Sequence, residues 1–255
     1  MAPFTVHGVN LTVWTPAEGG VGDITGLALG VPATGAGTLR GVGVGFGLGV
    51  TKELDGVGLG ILGLGSGGSL RGIFAGGLGM GAGKDIDGIA LGGLGVGAAG
   101  KIRGLALGGL AVGSGEGIDG IAAAALAVGS GGDLRGLTVA GLGVGSGGTI
   151  QGLAVAGLGV AAARIQGVVA GLAAGGQEVQ GLVVAPAYFH VPRDGRVTGA
   201  SISAFNRILG EQHGLAIGIV NYTPSLHGVQ IGLVNWAGNN PSGLKILPIL
   251  NAHLD

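Results

Sequence analysis

The chain has 255 residues with a formal net charge of −1, 65 glycines, eight prolines and no cysteine. This composition excludes collagen, because glycine follows no three-residue period, and it disfavours disorder, because 47% of the residues are hydrophobic and only 10% are charged. It also predicts no nucleic-acid partner, no disulfide framework and no thiolate chemistry, since the sequence has neither a basic stripe nor a cysteine.

The chain opens with MAPFTVHGVN, where no basic segment is followed by an apolar one, so no signal peptide is predicted. Residues 1–38 depart from the pattern that follows and are predicted to form N-terminal cap-like units. Trp14 and Pro16 stand in this region, at the place where stacking of repeats would begin.

A recurrent glycine, here called the key glycine, divides the chain into about sixteen units of 14–18 residues. Six successive spacings between Gly56 and Gly152 are all 16 residues. No gap is long enough for a linker, so we expect a single repeat domain over 1–255, with regular repeats over 39–180 and divergent C-terminal units and a cap over 181–255. The key glycines are Gly8, Gly26, Gly41, Gly56, Gly72, Gly88, Gly104, Gly120, Gly136, Gly152, Gly167, Gly181, Gly199, Gly214, Gly228 and Gly243.

Aliphatic residues occupy fixed positions around each key glycine, as in Ile86, Ile89, Leu91, Leu94 and Val96 around Gly88. Apolar residues two apart, then three apart, then two apart predict two short strands joined by a corner. A helix would need spacings of three and four and would lose about 1 kcal/mol at each glycine. Positions between the aliphatic residues are mostly glycine or alanine, which predicts flat Gly/Ala faces on the outside.

The predicted fold class is therefore all-β, and three arrangements can use such a unit. A β-solenoid, in which each unit is one coil, is favoured; the alternatives are a closed β-barrel and a ring of short hairpins. In the column just before the key glycine, the residue alternates strictly between arginine and aspartate over seven successive units. If coils stack directly on one another, each arginine inside this run lies between two aspartates. A meandering barrel would instead collect the arginines at one rim, and it would need aromatic girdles that this chain lacks. We call this column the charged ladder: Arg40, Asp55, Arg71, Asp87, Arg103, Asp119, Arg135, Gln151, Gln166 and Gln180.

The units after Gly199 change character and read GASISAFN, GLAIGIVN and HGVQIGLVNWAGNN. The pattern Gly-aliphatic-Gln-Ile-Gly-aliphatic-aliphatic-Asn resembles the bacterial surface-repeat proteins first described in Leptospira, over about the last forty residues. The resemblance implies a secreted or outer-membrane-associated protein, and it brings no catalytic residue. Asn221 and Asn235 fall seven residues after a key glycine, where stacked asparagines would form a side-chain ladder that satisfies backbone groups.

Aromatic residues and prolines concentrate near the C-terminus, which predicts a cap where stacking ends. These residues are Phe205, Tyr222, Pro224, Trp236, Pro241 and Pro248.

Candidate chemistry is sparse. His213 and His227 occupy the same column in adjacent units, with Glu211 close in sequence, so they are weak candidates for a metal site. The alternative is that they continue the exposed charged ladder. No catalytic or cofactor-binding residue is predicted, and Gly83-Lys84 is followed by Asp85 instead of the Ser or Thr that a phosphate-binding loop requires.

From these observations we expect a non-enzymatic surface or cell-envelope repeat protein that acts as a scaffold or interaction surface without a cofactor. Its expected partners are a second copy or a membrane surface, engaged through the flat Gly/Ala faces, with no nucleic acid and no nucleotide. The expected location is the cell surface, the outer membrane or the secreted fraction, and the missing signal peptide leaves a cytoplasmic location open. The alternative function is an outer-membrane β-barrel or pore-like protein, which the apolar composition would suit.

Overall fold

The computed structural model describes residues 5–14 and 22–254, which form an all-β, parallel β-solenoid of about 14 turns. The predicted solenoid is confirmed, and the barrel and hairpin-ring alternatives are wrong, because successive coils pair in parallel. Within these described ranges no helix is long and apolar enough to cross a bilayer. The chain divides into two compact units, Met1–Gly131 (unit 1) and Gly132–Asp255 (unit 2), which are described in turn.

The described part of unit 1 contains strands β1 to β10, in which long strands alternate with four-residue strands after β3. Their bounds are β1 Val6–Trp14, β2 Asp23–Ser66, β3 Ser69–Gly76, β4 Gly79–Ala82, β5 Ile86–Gly92, β6 Gly95–Ala98, β7 Lys101–Gly108, β8 Ala111–Ser114, β9 Gly117–Ala124 and β10 Ala127–Ser130.

The described part of unit 2 contains strands β11 to β21. Their bounds are β11 Asp133–Ala140, β12 Gly143–Ala156, β13 Gly159–Ala170, β14 Ala173–Val184, β15 Tyr188–Val191, β16 Arg196–Ile202, β17 Phe205–Ile208, β18 Glu211–Ile217, β19 Val220–Thr223, β20 Ser225–Ala237 and β21 Ile246–His253.

Each regular repeat is one coil with two strands, and equivalent residues of successive coils lie beside one another. In β5 and β7, Gly88 pairs with Gly104 and Ile89 pairs with Leu105. The short strands obey the same register, with β6 parallel to both β4 and β8. The prediction that one repeat stacks directly on the next is therefore confirmed in residue-level register.

The key glycines are required by backbone conformation and by close approach. From Gly8 to Gly228 their φ angles lie between 103° and 148°, a region that residues with a Cβ rarely adopt. A Cβ added to Gly88 would also collide with the carbonyl oxygen of Gly72 in the preceding coil. The backbone of one coil thus passes over the next at a point where no side chain fits.

The core is narrow and is built from three inward-facing columns. In the coil of Gly88 these are Ile86 and Ala90, both fully buried, and Val96. Because side chains alternate along a strand, the large residues one and three after the key glycine face outward, and Leu91 and Leu107 are 37% and 38% exposed. The expectation of outward Gly/Ala faces therefore holds for the short strands only; on the long strands the alanines are inside and the aliphatic residues are outside.

Buried asparagines replace apolar residues in the core of the C-terminal coils. Asn206 Nδ2 donates to Asn221 Oδ1 at 2.7 Å, and Asn221 Nδ2 donates to Asn235 Oδ1 at 2.7 Å. Asn221 Nδ2 also reaches the carbonyl oxygen of Ile231 at 3.0 Å. The predicted ladder of Asn221 and Asn235 is confirmed, and Asn206 extends it by one coil that was not predicted.

The C-terminal end differs from the predicted pattern at Gly243. Instead of beginning a further coil, Gly243 lies in a turn, and β21 then runs antiparallel to β20, with His253 opposite Gly228. The turn contains Pro241, which fixes φ and lacks a backbone N–H. Two of the aromatic residues near this end, Tyr222 and Trp236, stack with their ring centroids 4.2 Å apart.

The N-terminal cap prediction stays a prediction: Pro16 and the side chain of Trp14 lie outside the described residues.

Two glycines of one coil allow a direct test of this architecture. Gly88→Ala adds a Cβ at a positive φ and against the Gly72 carbonyl, so we expect the free energy of unfolding to fall by about 2–4 kcal/mol. Gly97→Ala is the matched control, because a Cβ there meets nothing within 4 Å, and it should raise stability by about 0.5 kcal/mol. Urea unfolding of both variants measures the difference; equal effects would contradict the assigned role of the key glycine.

Candidate functional site

In the coils from Gly56 to Gly131, charged residues are confined to one edge. Between Gly56 and Gly131 every Lys, Arg, Asp and Glu lies within the four positions before a key glycine. The other positions of these coils carry apolar residues, glycine and a few hydroxyl side chains. Each coil is therefore amphipathic in cross-section. When the coils stack, their charged positions form one continuous edge and the other surfaces are apolar.

The charged ladder lies along this edge and pairs opposite charges of successive coils. Arg71 lies 3.9 Å from Asp55 and 3.9 Å from Asp87, and Arg103 Nη1 lies 2.7 Å from Asp87 Oδ1. Asp119 stands opposite Arg103 in the strand register. Exposed pairs of this kind contribute only about 0–1 kcal/mol each, so the ladder mainly specifies register.

In unit 2, too, the ladder residues of successive coils lie next to one another. In unit 2, Arg135 lies opposite Gln151, whose Nε2 donates to Gln166 Oε1 at 2.9 Å, and Gln166 lies opposite Gln180. In unit 1, Arg40 is exposed on β2.

Two carboxylates near the charged ladder, Asp85 in unit 1 and Asp133 in unit 2, have a role that the sequence analysis did not predict. Asp85 Oδ1 accepts a hydrogen bond from the backbone N–H of Lys101, and Asp133 Oδ1 accepts one from that of Thr149, both at 2.8 Å. These backbone hydrogen bonds, with help from a nearby arginine, lower the pKa of both carboxyls. The available signal was position, since both aspartates stand three residues before a key glycine.

The two candidate metal ligands do come together, but as a stack. The rings of His213 and His227 have centroids 4.6 Å apart and an angle of 10° between their planes. Lone pairs of imidazole nitrogens lie in the ring plane, so parallel stacked rings do not aim them at a common point. His253, which was not predicted, meets His227 edge-on at 6.1 Å. In the described ranges, no group of three or more His, Cys, Asp or Glu is arranged to hold a metal ion.

Glu211 connects the histidine stack to the neighbouring coil. Its Oε2 lies 3.3 Å from His213 Nε2 and 2.6 Å from Arg196 Nη2. The hydrogen bond with His213, followed by those with Arg196, lowers the pKa of Glu211. All three side chains are more than one-third exposed, so this cluster belongs to the solvated edge.

An exposed column of leucines marks the corner between the two strands of each coil. Successive members are joined through their backbones, as where the N–H of Leu110 donates to the carbonyl oxygen of Leu94 at 2.7 Å. We call the column in unit 1 the leucine ridge; Leu62, Leu78, Leu94, Leu110 and Leu126 are 43–55% exposed. In unit 2 the same position is taken by Leu142, Leu158 and Leu172, which are 46–55% exposed.

Further large apolar side chains flank the leucine ridge on the long strands. Ile73 and Ile121 are 48% and 46% exposed one residue after their key glycines. Leu91 and Leu107 add a third exposed column. We call these columns together with the leucine ridge the apolar face of unit 1. Exposed apolar faces of this extent are typical of sites that contact another protein or a membrane.

The short strands beyond the ridge present glycine to the outside. A Cβ at Gly97, Gly113 or Gly129 would meet nothing within 4 Å, and none of the three has a positive φ of the kind that excludes other residues. The fold itself therefore does not require glycine there. In unit 2 the same column ends in larger side chains, His190, Arg207, Tyr222 and Trp236, aligned in parallel register.

Unit 1 has an open hollow of 570 Å³ near its N-terminal coils. Its lining runs from Ala33 to Gly63 and consists of glycine, alanine, Leu48, Val50 and the threonines Thr34 and Thr51. None of these side chains is an acid, a base or a metal ligand of the usual kind. The hollow offers apolar contact without catalytic groups.

Comparison with family models, with curated proteins and with solved structures finds no match for this chain.

The lowered pKa values of Asp85 and Asp133 predict a specific acid sensitivity. A carboxyl whose pKa is lower in the folded state stabilises the fold above its unfolded value of about 3.9, and this contribution is lost as pH falls through the folded value. We expect the double variant Asp85→Asn/Asp133→Asn, which keeps the acceptor oxygens, to lose less stability than the parent chain between about pH 5 and pH 2.5.

Urea midpoints measured across that pH range provide the readout. Asp194→Asn is the control, because Asp194 is exposed at a turn outside the ladder, and its profile should follow the parent chain. Parallel profiles for the double variant and the parent chain would show that the two carboxylates do not carry the effect.

Proposed function

We propose that this protein is a non-enzymatic interaction scaffold of the cell surface or envelope. Its apolar faces dock onto another surface while the charged edge stays in water. The observation that supports this proposal is the segregation of charge: every charged residue from Gly56 to Gly131 lies at one edge, and the leucine ridge lies at another corner of the same coils.

Magnitudes favour docking by the whole apolar face over docking by the ridge alone. Full burial of a leucine contributes about 1.5–3 kcal/mol, so five half-exposed ridge leucines would contribute roughly 4–7 kcal/mol. Association of two bodies costs an estimated 4–15 kcal/mol or more. The flanking columns that contain Ile73 and Leu107 are therefore needed for stable docking, and they lie directly beside the ridge.

The remaining parts of the proposal rest on separate supports. Placement at the cell surface is supported by the resemblance of the C-terminal repeats to bacterial surface-repeat proteins. The pore-like alternative has lost its architectural basis, because the solenoid has a core filled with side chains.

Retention on an octyl-agarose column tests the docking role. We expect the parent chain to bind at moderate salt, and Leu94→Ser/Leu110→Ser to elute earlier, because two ridge side chains lose their apolar contact. Lys101→Ser/Arg103→Ser, in the charged edge of the neighbouring long strand, is the matched control and should be retained like the parent. If the ridge variant is retained as strongly as the parent chain, the proposed docking face is wrong.

Placement at the cell surface needs its own measurement. Lys52 and Lys84 are exposed on the charged edge. A membrane-impermeant amine reagent applied to intact expressing cells should label them if the charged edge faces the medium. Labelling that appears only after lysis would contradict a surface location.

A further inference from the structure

We propose that a second copy of this chain covers the apolar face of unit 1, so that two copies form a two-fold symmetric dimer. This inference rests on the proposed docking role of that face and names its occupant. Three observations support it: the area of the apolar face, the charge pattern of the edge beside that face, and the shape of the neighbouring short strands.

The area fits a small but specific interface. From a key glycine to the ridge the chain advances six residues, about 20 Å at roughly 3.3 Å per residue. The face runs through the seven coils whose key glycines are Gly26 to Gly120, which is six coil spacings of about 4.8 Å, or about 29 Å. The first two of these coils have no ridge leucine, and their exposed apolar side chains before the short strand are Val31 and Phe46, 61% and 42% exposed. The face therefore covers about 580 Å² in projection, and two copies would bury about 1,200 Å², the lower end of the range for stable specific interfaces.

The charge pattern favours a second copy over a lipid surface. Peripheral membrane binding of an apolar face is normally assisted by lysines and arginines that contact anionic headgroups. Here Arg71 and Arg103 are interleaved with aspartates, and Arg103 is held 2.7 Å from Asp87. The edge that borders the apolar face thus offers no excess positive charge, while a second copy with the same balanced edge meets no net repulsion.

The shape of the neighbouring strands also favours a protein partner. Lipid binding strengthens with apolar area, so larger apolar side chains at Gly97, Gly113 and Gly129 would help it, and the fold has room for them. Glycine instead suits the close approach of another flat β-surface. Leucines spaced by about 4.8 Å along one copy also match the identical spacing of the other copy.

A central pair of ridge residues gives the sharpest test. Leu78 and Leu94 lie midway along the face and are 55% and 52% exposed, so a change there leaves the buried columns intact. In a two-fold dimer Leu78→Asp/Leu94→Asp places four carboxylates in one interface. We expect the parent chain to sediment as a dimer at micromolar concentration, and this variant to raise the dimer dissociation constant by about 100-fold or more.

The equivalent ridge position in unit 2 provides the matched control. Leu158→Asp/Leu172→Asp makes the same substitution at side chains of similar exposure, 55% and 49%. Both variants should keep the strand signal in circular dichroism and equal melting temperatures when diluted to monomer, and the unit 2 variant should remain a dimer. A monomeric unit 2 variant beside a dimeric unit 1 variant would overturn the assignment to unit 1.

The remaining outcomes separate this inference from the proposed function. A parent chain that is monomeric at all concentrations overturns the second-copy proposal. If that monomer floats with phosphatidylcholine vesicles through its ridge, or keeps ridge-dependent retention on octyl-agarose, the docking role stands and the occupant is different. If retention does not depend on the ridge, both proposals fail.

Discussion

The close contact between successive key glycines is the constraint on which this structure depends. At the key glycines from Gly26 to Gly120 and from Gly152 to Gly228, the Cα lies against the carbonyl oxygen of the preceding key glycine, at a φ that only glycine adopts easily. The contact fixes the coils in register, and the parallel hydrogen bonds of the long and short strands follow from it. Register then determines which side chains become neighbours, so the charged ladder, the asparagine ladder and the leucine ridge are all consequences of one repeated steric requirement.

A narrow core explains the unusual distribution of apolar residues. Two strands per coil enclose room for a large residue such as Ile102, a small one such as Ala106 and a valine such as Val112. The remaining large aliphatic side chains have no place inside and stand on the outer surface. An ordinary globular domain would avoid such a surface, and here it is repeated in coil after coil while charge is kept to one edge. That regularity supports an interface more than it supports incidental exposure.

Repeat spacing and charge alternation were enough to predict the solenoid and its register. A period of 16 residues implies that Ile89 lies beside Leu105, and the strand pairing shows this. The pattern could not show which side of the long strand faces inward. Alternate residues of a strand point to opposite faces, and only the contact between key glycines and the narrow width of the core determine which set is buried. Asp85 was missed because its role is to accept a backbone N–H one coil later, and spacing at Gly243 could not reveal that the chain reverses there.

The reversed last strand has a consequence for how copies can associate. A solenoid end normally exposes a row of unpaired backbone groups on which a further coil, or another molecule, could be added. Here β21 occupies that row in the opposite direction, contains Pro248 without an N–H, and is made irregular by Ile249 at a φ of 69° and by a register shift opposite Gly232. Such an irregular edge is a poor template for continued strand addition. Strand addition onto β21, which end-to-end polymerisation through this edge would require, is therefore discouraged.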